Sequence, residues 1–386
     1  MNSSYLFFRP LLLTGILTLA FFIGAPTVMA SIFGKSELSG SWKERFQDLS
    51  KLKAYTDQGL KVEISDAIIE KYDLSGATFV NATFKDNEWN EMTGKNMVIT
   101  NTVFRGVSFN VARFESTVLT NVTFEDSEFF RTSFYRSKLI GVKFIRCKFI
   151  ENNSFQQINS SNISFAEATL DKVEFADAQA NISFNHSTLT DVSLTDLAFP
   201  SSLTFENSKL EDIALDRAKI TKLTMENVTG GGRSGFNGGS IAEVEVRNSA
   251  MALGLGEGTL GKVSFVNSTV ESGFANSNIK ELSIINCKNM KGLGLYKAKI
   301  DTLNISNCPI NNFHPVEAII QNFNIDHAPI MNSDFGDMKV KNFTLTDVTL
   351  DQKMDFTGAQ VENLTTKNVT KLPGLNLNLT GSNVKF

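Results

Sequence analysis

Cysteine is nearly missing from this chain of 386 residues, with only Cys147, Cys287 and Cys308 present. So few in so long a chain exclude a disulfide framework, and stability must come from burial. Tryptophan (2) and proline (7) are scarce too, while phenylalanine is abundant (32), a bias that favours one long repetitive unit over several ordinary domains. No charge dominates. A formal net charge of −4 argues against polyanion binding, nucleic acid included, and is far from the dense acidity of a nucleic-acid mimic. His186, His314 and His327 read as scattered, with neither metal-ligand spacing nor paired carboxylates nearby, so no metal and no catalytic residue is expected.

Residues 1–30 have the pattern of a secretory signal peptide. Arg9 supplies the positive start, Leu11 to Ile23 the apolar stretch, and Val28-Met29-Ala30 the small-residue cleavage site. The apolar run falls short of the roughly 20 residues that a comfortable membrane span needs. The chain is therefore expected to be exported, periplasmic or secreted, and membrane-anchored if the signal is left uncleaved. Residues 31–63 read as a linker and a capping helix. Ser41-Trp-Lys-Glu44 has the form of a capping box, and Trp42, Phe46 and Leu49 share one helical face.

What is present in abundance is a five-residue rhythm. From Ile64 the large apolar positions run Ile69, Leu74, Phe79, Phe84, Trp89, Gly94, Ile99, Phe104 and Phe109, then Phe114, Leu119, Phe124, Phe129, Phe134, Leu139, Phe144 and Phe149. Only Gly94 breaks the run. Large apolar residues make up about a third of an average sequence, so chance does not produce this. Two places before the large residue the position is usually small, as at Ala77, Ala82, Ala112, Thr117, Ser127, Ser137 and Cys147. Positions two apart share a strand face, so both point inward while the three polar positions turn outward. Five fits neither a helix nor a continuous strand; it fits a short extended segment and a bend, repeated.

These units resemble the pentapeptide-repeat family, as in Ala77-Thr78-Phe79-Val80-Asn81 and Val122-Thr123-Phe124-Glu125-Asp126. The resemblance implies an all-β solenoid, a right-handed quadrilateral parallel β-helix, here of about 15 coils and ~70 Å at ~4.8 Å per coil. The regular part spans residues 64–151. Residues 152–371 use a looser double step, as in Ala298-Lys-Ile300-Asp-Thr-Leu303-Asn-Ile305, whose Leu stands where the family has a small residue. That departure puts a square cross-section in doubt for the second half. A glycine-rich excursion from the rod is expected at 230–239, and a C-terminal cap or tail at 372–386. Gly230-x-Gly232-x-x-Gly235 and Gly256-x-Gly258-x-x-Gly261 match the dinucleotide pattern formally, but both lead into β-type sequence, so no cofactor is expected.

One band of the predicted surface is unusual. The outward residues after five successive core positions are Phe130, Tyr135, Ile140, Ile145 and Ile150, interleaved with Arg131, Arg136, Lys138, Lys143, Arg146 and Lys148. An apolar band with a basic rim suits a partner, or else a segment of the same chain. Cys287 and Cys308 lie 21 apart and should be stacked neighbours, either forming a disulfide or filling small-residue slots as Cys147 does. The sequence thus points to a non-catalytic scaffold or binding protein of the bacterial cell envelope. Its expected partner is a protein or glycan, with homodimerisation through rod ends or the apolar band as a further option. Two alternatives are a DNA-mimicking topoisomerase-protecting pentapeptide protein and a β-helix polysaccharide-active enzyme. Export and weak charge oppose the first, the tight five-residue step the second.

Overall fold

The computed structural model describes residues 30–31, 62–66, 68–231 and 234–385. The signal segment before Ala30 and the expected capping helix lie outside them. Among the described residues there is no helix; regular structure is strand throughout, and every strand pairing is parallel. A two-residue strand, Ala30–Ser31, pairs with Val62–Glu63 at the start of the rod.

The coil follows from the side-chain period. Ile64 pairs with Phe84, Phe84 with Phe104, Phe104 with Phe124 and Phe124 with Phe144, and the ladder continues to Leu345 and Thr366. This makes a solenoid of about 16 turns, against about 15 expected. Three more inward columns complete each turn: Phe79–Ile99–Leu119–Leu139, Trp89–Phe109–Phe129–Phe149 and Phe114–Phe134–Phe155.

The rings fill the tube in two geometries. Along the axis they stack: Phe104 on Phe124 at 4.9 Å and 11°, Phe124 on Phe144 at 4.9 Å and 5°, Phe129 on Phe149 at 4.5 Å and 4°. Around the tube they meet edge to face, as Phe124 meets Phe129 at 5.4 Å and 72°. Both arrangements suit the ring quadrupole, and each adds to area burial. Phe84, Phe104, Phe124, Phe144, Phe165, Phe184 and Phe205 form one unbroken stack.

Corners explain the polar positions. Two residues past each core residue of the second column the backbone takes positive φ, at Asp66, Asp86, Gly106, Asp126, then Asn207, Asn227, Asn248, Asn267, Asn286 and Asn307 among others. Glycine, Asn and Asp tolerate that conformation best, which is why they recur there. The small inward column handles the backbone at this corner. Val107 N–H donates to Ser127 Oγ at 3.1 Å, Ser187 N–H to Ser208 Oγ at 3.1 Å, and Val228 N–H to Ser249 Oγ at 2.9 Å. Each buried hydroxyl thus takes a donor from the coil before it.

Two expectations change in the second half. The corner between the first and second sides holds positive-φ Asn81, Asn101, Asn121, Gly141 and Asn162, and none after that. The two sides then fuse into single eight-residue strands such as Lys299–Ser306 and Lys339–Thr346. Leu303, Phe323 and Phe343 point inward from the straightened corner, so the four-sided section is lost without widening the coil. Successive rungs stay close to twenty residues apart, as Ile305–Ile325–Leu345 shows.

The described part of the expected glycine-rich excursion, residues 230–231 and 234–239, is instead part of the wall. Gly230 lies in register with Leu210, Gly235 bridges Ala214 and Gly254, and Phe236 is fully buried in the fourth column. A Cβ on Gly239 would run into the Phe236 ring and the Ala218 carbonyl, so tight packing, not looseness, accounts for that glycine. At the far end, Asn376–Asn378 pairs with Lys353–Asp355, and the Asn383 amide both accepts from Val361 N–H (2.8 Å) and donates to Val361 C=O (2.9 Å). A side chain there takes the place of a missing strand.

Phe124 sits between two stacked rings with no exposure. Phe124→Ala is expected to cost roughly 3–5 kcal/mol in urea unfolding, and Phe124→Asp to yield no folded protein. A loss below about 1 kcal/mol for the alanine variant would contradict the stacked-column core.

Candidate functional site

The five outward apolar residues form a ring around the rod. Ile145 lies on the second side, Phe130 and Ile150 on the third, in register with one another, Tyr135 on the fourth and Ile140 on the first. All five are half-buried. Only Phe130 and Ile150 are brought together as neighbours on adjacent rungs.

The basic rim is largely held against the rod itself. The Arg131 guanidinium lies 4.9 Å from the Phe130 ring centre and pairs with Glu151 at 2.8 Å; Arg136 lies 4.8 Å from the Tyr135 ring centre and donates to Gln157 at 2.9 Å. Arg146 reaches back one coil to Glu125 (2.6 Å) and Asp126 (2.7 Å). Lys138, Lys143 and Lys148 point to solvent. Flat guanidinium faces over aromatic rings are sticky and solvated at once, a surface that a partner can replace water on.

Electrostatics elsewhere are those of a braced wall. Every carboxylate with a perturbed ionisation among the described residues is held low: Glu125 by Arg105 and then Arg146, Asp126 by Arg146, Asp196 by Arg217, Glu245 by Lys222, Asp73 by the Ser75 hydrogen bonds and Asp355 by those of Thr357. The cations come from neighbouring coils, so these shifts report ladder contacts. A shallow cavity of about 230 Å³ lies where the phase slips, lined by Asn152, Asn153, Lys172, Val173, Glu174, Asp191 and Ser193. Ligand pockets run to roughly 300–1,000 Å³.

The cysteines share one column. Cys147, Cys287 and Cys308 each stand three residues past a second-column core residue, where serines stand in other coils. Cys147 is buried and its thiol is pushed up to about 12 by desolvation, which leaves it unreactive. The sulfurs of Cys287 and Cys308 meet across adjacent coils with Cα atoms 4.9 Å apart, inside the range a disulfide spans.

Three features were not found by reading along the chain. Gly235, Gly254, Gly273 and Gly294 stack as outward residues on the fourth side, and a Cβ on Gly273 or Gly294 would meet nothing within 4 Å. They leave a smooth strip beside Tyr296, which is 42% exposed. Phe199 projects from the turn between the strands Thr188–Ser193 and Ser202–Glu206, at 64% exposure. The third corrects the reading of His327. Its Nδ1 lies 2.8 Å from Asp326 and its Nε2 3.4 Å from Asp347, and the Asp326 carboxylate pushes its pKa up. Asp326 precedes it in the chain and Asp347 stands one coil on; a search at a twenty-residue offset would have found the pair. His186 and His314 join no such group among the described residues.

No family model and no curated protein matches the chain. Solved structures that resemble it include QnrB1, a plasmid-mediated fluoroquinolone resistance protein, at 15% identity over 39% of this chain and 75% of that one, with a TM-score of 0.23. HetL, a pentapeptide repeat protein involved in heterocyst differentiation regulation in the cyanobacterium Nostoc sp. strain PCC 7120, matches at 11% over 86% and 96%, with a TM-score of 0.17. The catalytic unit of a GH87 α-1,3-glucanase from Streptomyces thermodiastaticus matches at 14% over 88% and 66%, with a TM-score of 0.27. Scores this low carry no argument, and the assignment rests on the chain's own five-residue steps and registers. The fold is a parallel β-solenoid, built from five-residue steps as far as Phe149.

The cysteine geometry has a direct check. In protein folded without reductant, denaturation should expose one alkylatable thiol, Cys147, and denaturation after reduction all three. Three labelled thiols without reductant would show that Cys287 and Cys308 only fill their slots.

Proposed function

We propose that the chain is a non-catalytic scaffold, exported by residues 1–30, whose rod presents a binding surface to a protein or glycan of the bacterial cell envelope. The observation that supports this most is how the interior and the charges are used. The tube is packed with side chains from Ile64 to Val361, and the perturbed carboxylates are held low by contacts within the wall. What a solenoid of this kind offers is its outside, long, regular and rigid.

On that outside, the ring centred on Phe130 and Tyr135 is the proposed contact for a protein. Its aromatic rings are half-exposed beneath arginine planes, the residue types that dominate interface energetics. The glycine strip beside Tyr296 is a second surface, flat enough for a sugar ring to lie against. Fold alone does not select between them.

The test is crosslinking and pull-down from fractionated envelopes with the wild-type chain and a Phe130→Ser/Tyr135→Ser double variant. The reading expects processed protein in the envelope or medium, a partner captured by the wild type, and loss of that partner from a variant that keeps its β-sheet spectrum. Unprocessed cytoplasmic protein, undiminished capture by the variant, or turnover of acidic polysaccharides by the purified chain would each overturn it.

A further inference from the structure

Asp326, His327 and Asp347 are the one group among the described residues in which three metal-ligating side chains converge, their donor atoms all within 4.8 Å of one another. The solenoid creates the group. His327 occupies the positive-φ corner (φ 49°) two residues past Ile325, and Asp347 occupies the same corner one coil on. In other coils this corner is an amide ladder: Asn307 Nδ2 donates to Asn286 Oδ1 at 3.1 Å and Asn227 Nδ2 to Asn207 Oδ1 at 3.0 Å, while Asn368 Nδ2 donates to Asp347 Oδ1 at 2.7 Å and leaves Oδ2 facing His327. An Asn at 327 would serve the fold as well as its neighbours do. The imidazole adds what no amide can, a ring-nitrogen lone pair, with Asp326 beside Nδ1 and Asp347 beside Nε2.

We propose that Asp326, His327 and Asp347 bind a divalent transition cation of the Zn²⁺ or Cu²⁺ class, clipping two successive coils together. One imidazole nitrogen and two carboxylate oxygens are a mixed donor set of the kind zinc takes, at bond lengths of about 2.0–2.2 Å, with water filling the remaining positions. The three side chains reach the surface, and their donors, within 4.8 Å of one another, must draw closer to share one ion. Two carboxylates neutralise the ion's charge, and the imidazole favours Zn²⁺, Cu²⁺ or Ni²⁺ over Mg²⁺ and Ca²⁺. The open surface leaves room for a donor from a partner, so the site would also suit metal-bridged contacts.

The test uses the untagged full chain, stripped with chelator and titrated with Zn²⁺ in a calorimeter. His327→Asn and Asp347→Asn place at this corner the residue that Asn307 and Asn368 already place there, so both variants should fold, checked by an unchanged metal-free thermal midpoint. The expected result is one Zn²⁺ per chain, not displaced by Mg²⁺, with affinity lowered roughly tenfold or more in each variant. His186→Asn, at the same corner of another coil, should bind as the wild type does. Undiminished binding by His327→Asn, or no Zn²⁺ binding by the stripped wild type, would overturn the site and leave a histidine that only hydrogen-bonds two aspartates.

Discussion

Stacking of inward side chains in a tube too narrow for anything else governs this molecule. Once Phe104, Phe124 and Phe144 lie ring on ring at 4.9 Å, the distance between coils is set, and with it the parallel ladder. The same spacing brings outward residues about twenty apart into contact, producing Asn ladders, ion pairs and the cysteine pair alike. Coils gain or lose single residues without breaking the ladder, as Phe144–Phe165 and Phe165–Phe184 show, and near Asn152 the extra residue is taken up by two successive positive-φ residues, Glu151 and Asn152. Local departures are tolerated where they keep the columns in line.

Much of this was legible in the order of residues. Up to Phe149 the large core positions other than Gly94, and most of their small companions, could be assigned from spacing alone, because the side-chain period of a strand leaves one choice of face. The second half was harder. Leu303, Phe323 and Phe343 stand where small residues are expected, and the outcome was neither a wider coil nor disorder but a straightened corner. Gly230–Gly239 was misleading for a different reason. Glycine signals both freedom and close packing, and only the position of the Phe236 ring tells which applies.

The surface was less legible than the core. The apolar band was visible as a pattern, but its distribution over four sides depends on which residue turns each corner. His327 shows the limit most clearly: its neighbours along the chain suggested nothing, while its neighbour along the axis, Asp347, completes a donor set. In a solenoid the second dimension of the surface is written at the coil period, and chemistry should be sought there. The folded core carries few groups able to do chemistry, so specificity must lie in such surface combinations.

A distance along the rod tests the central claim most directly. Lys143 and Asn304 are outward residues on the second side, joined through eight successive pairings in register. Spin labels on cysteines at these two positions, with the native cysteines changed to the serine that fills their column elsewhere, should give a narrow distribution near ~38 Å by electron–electron resonance, at ~4.8 Å per rung. A broad distribution, or one centred below about 25 Å, would contradict a continuous stack of coils.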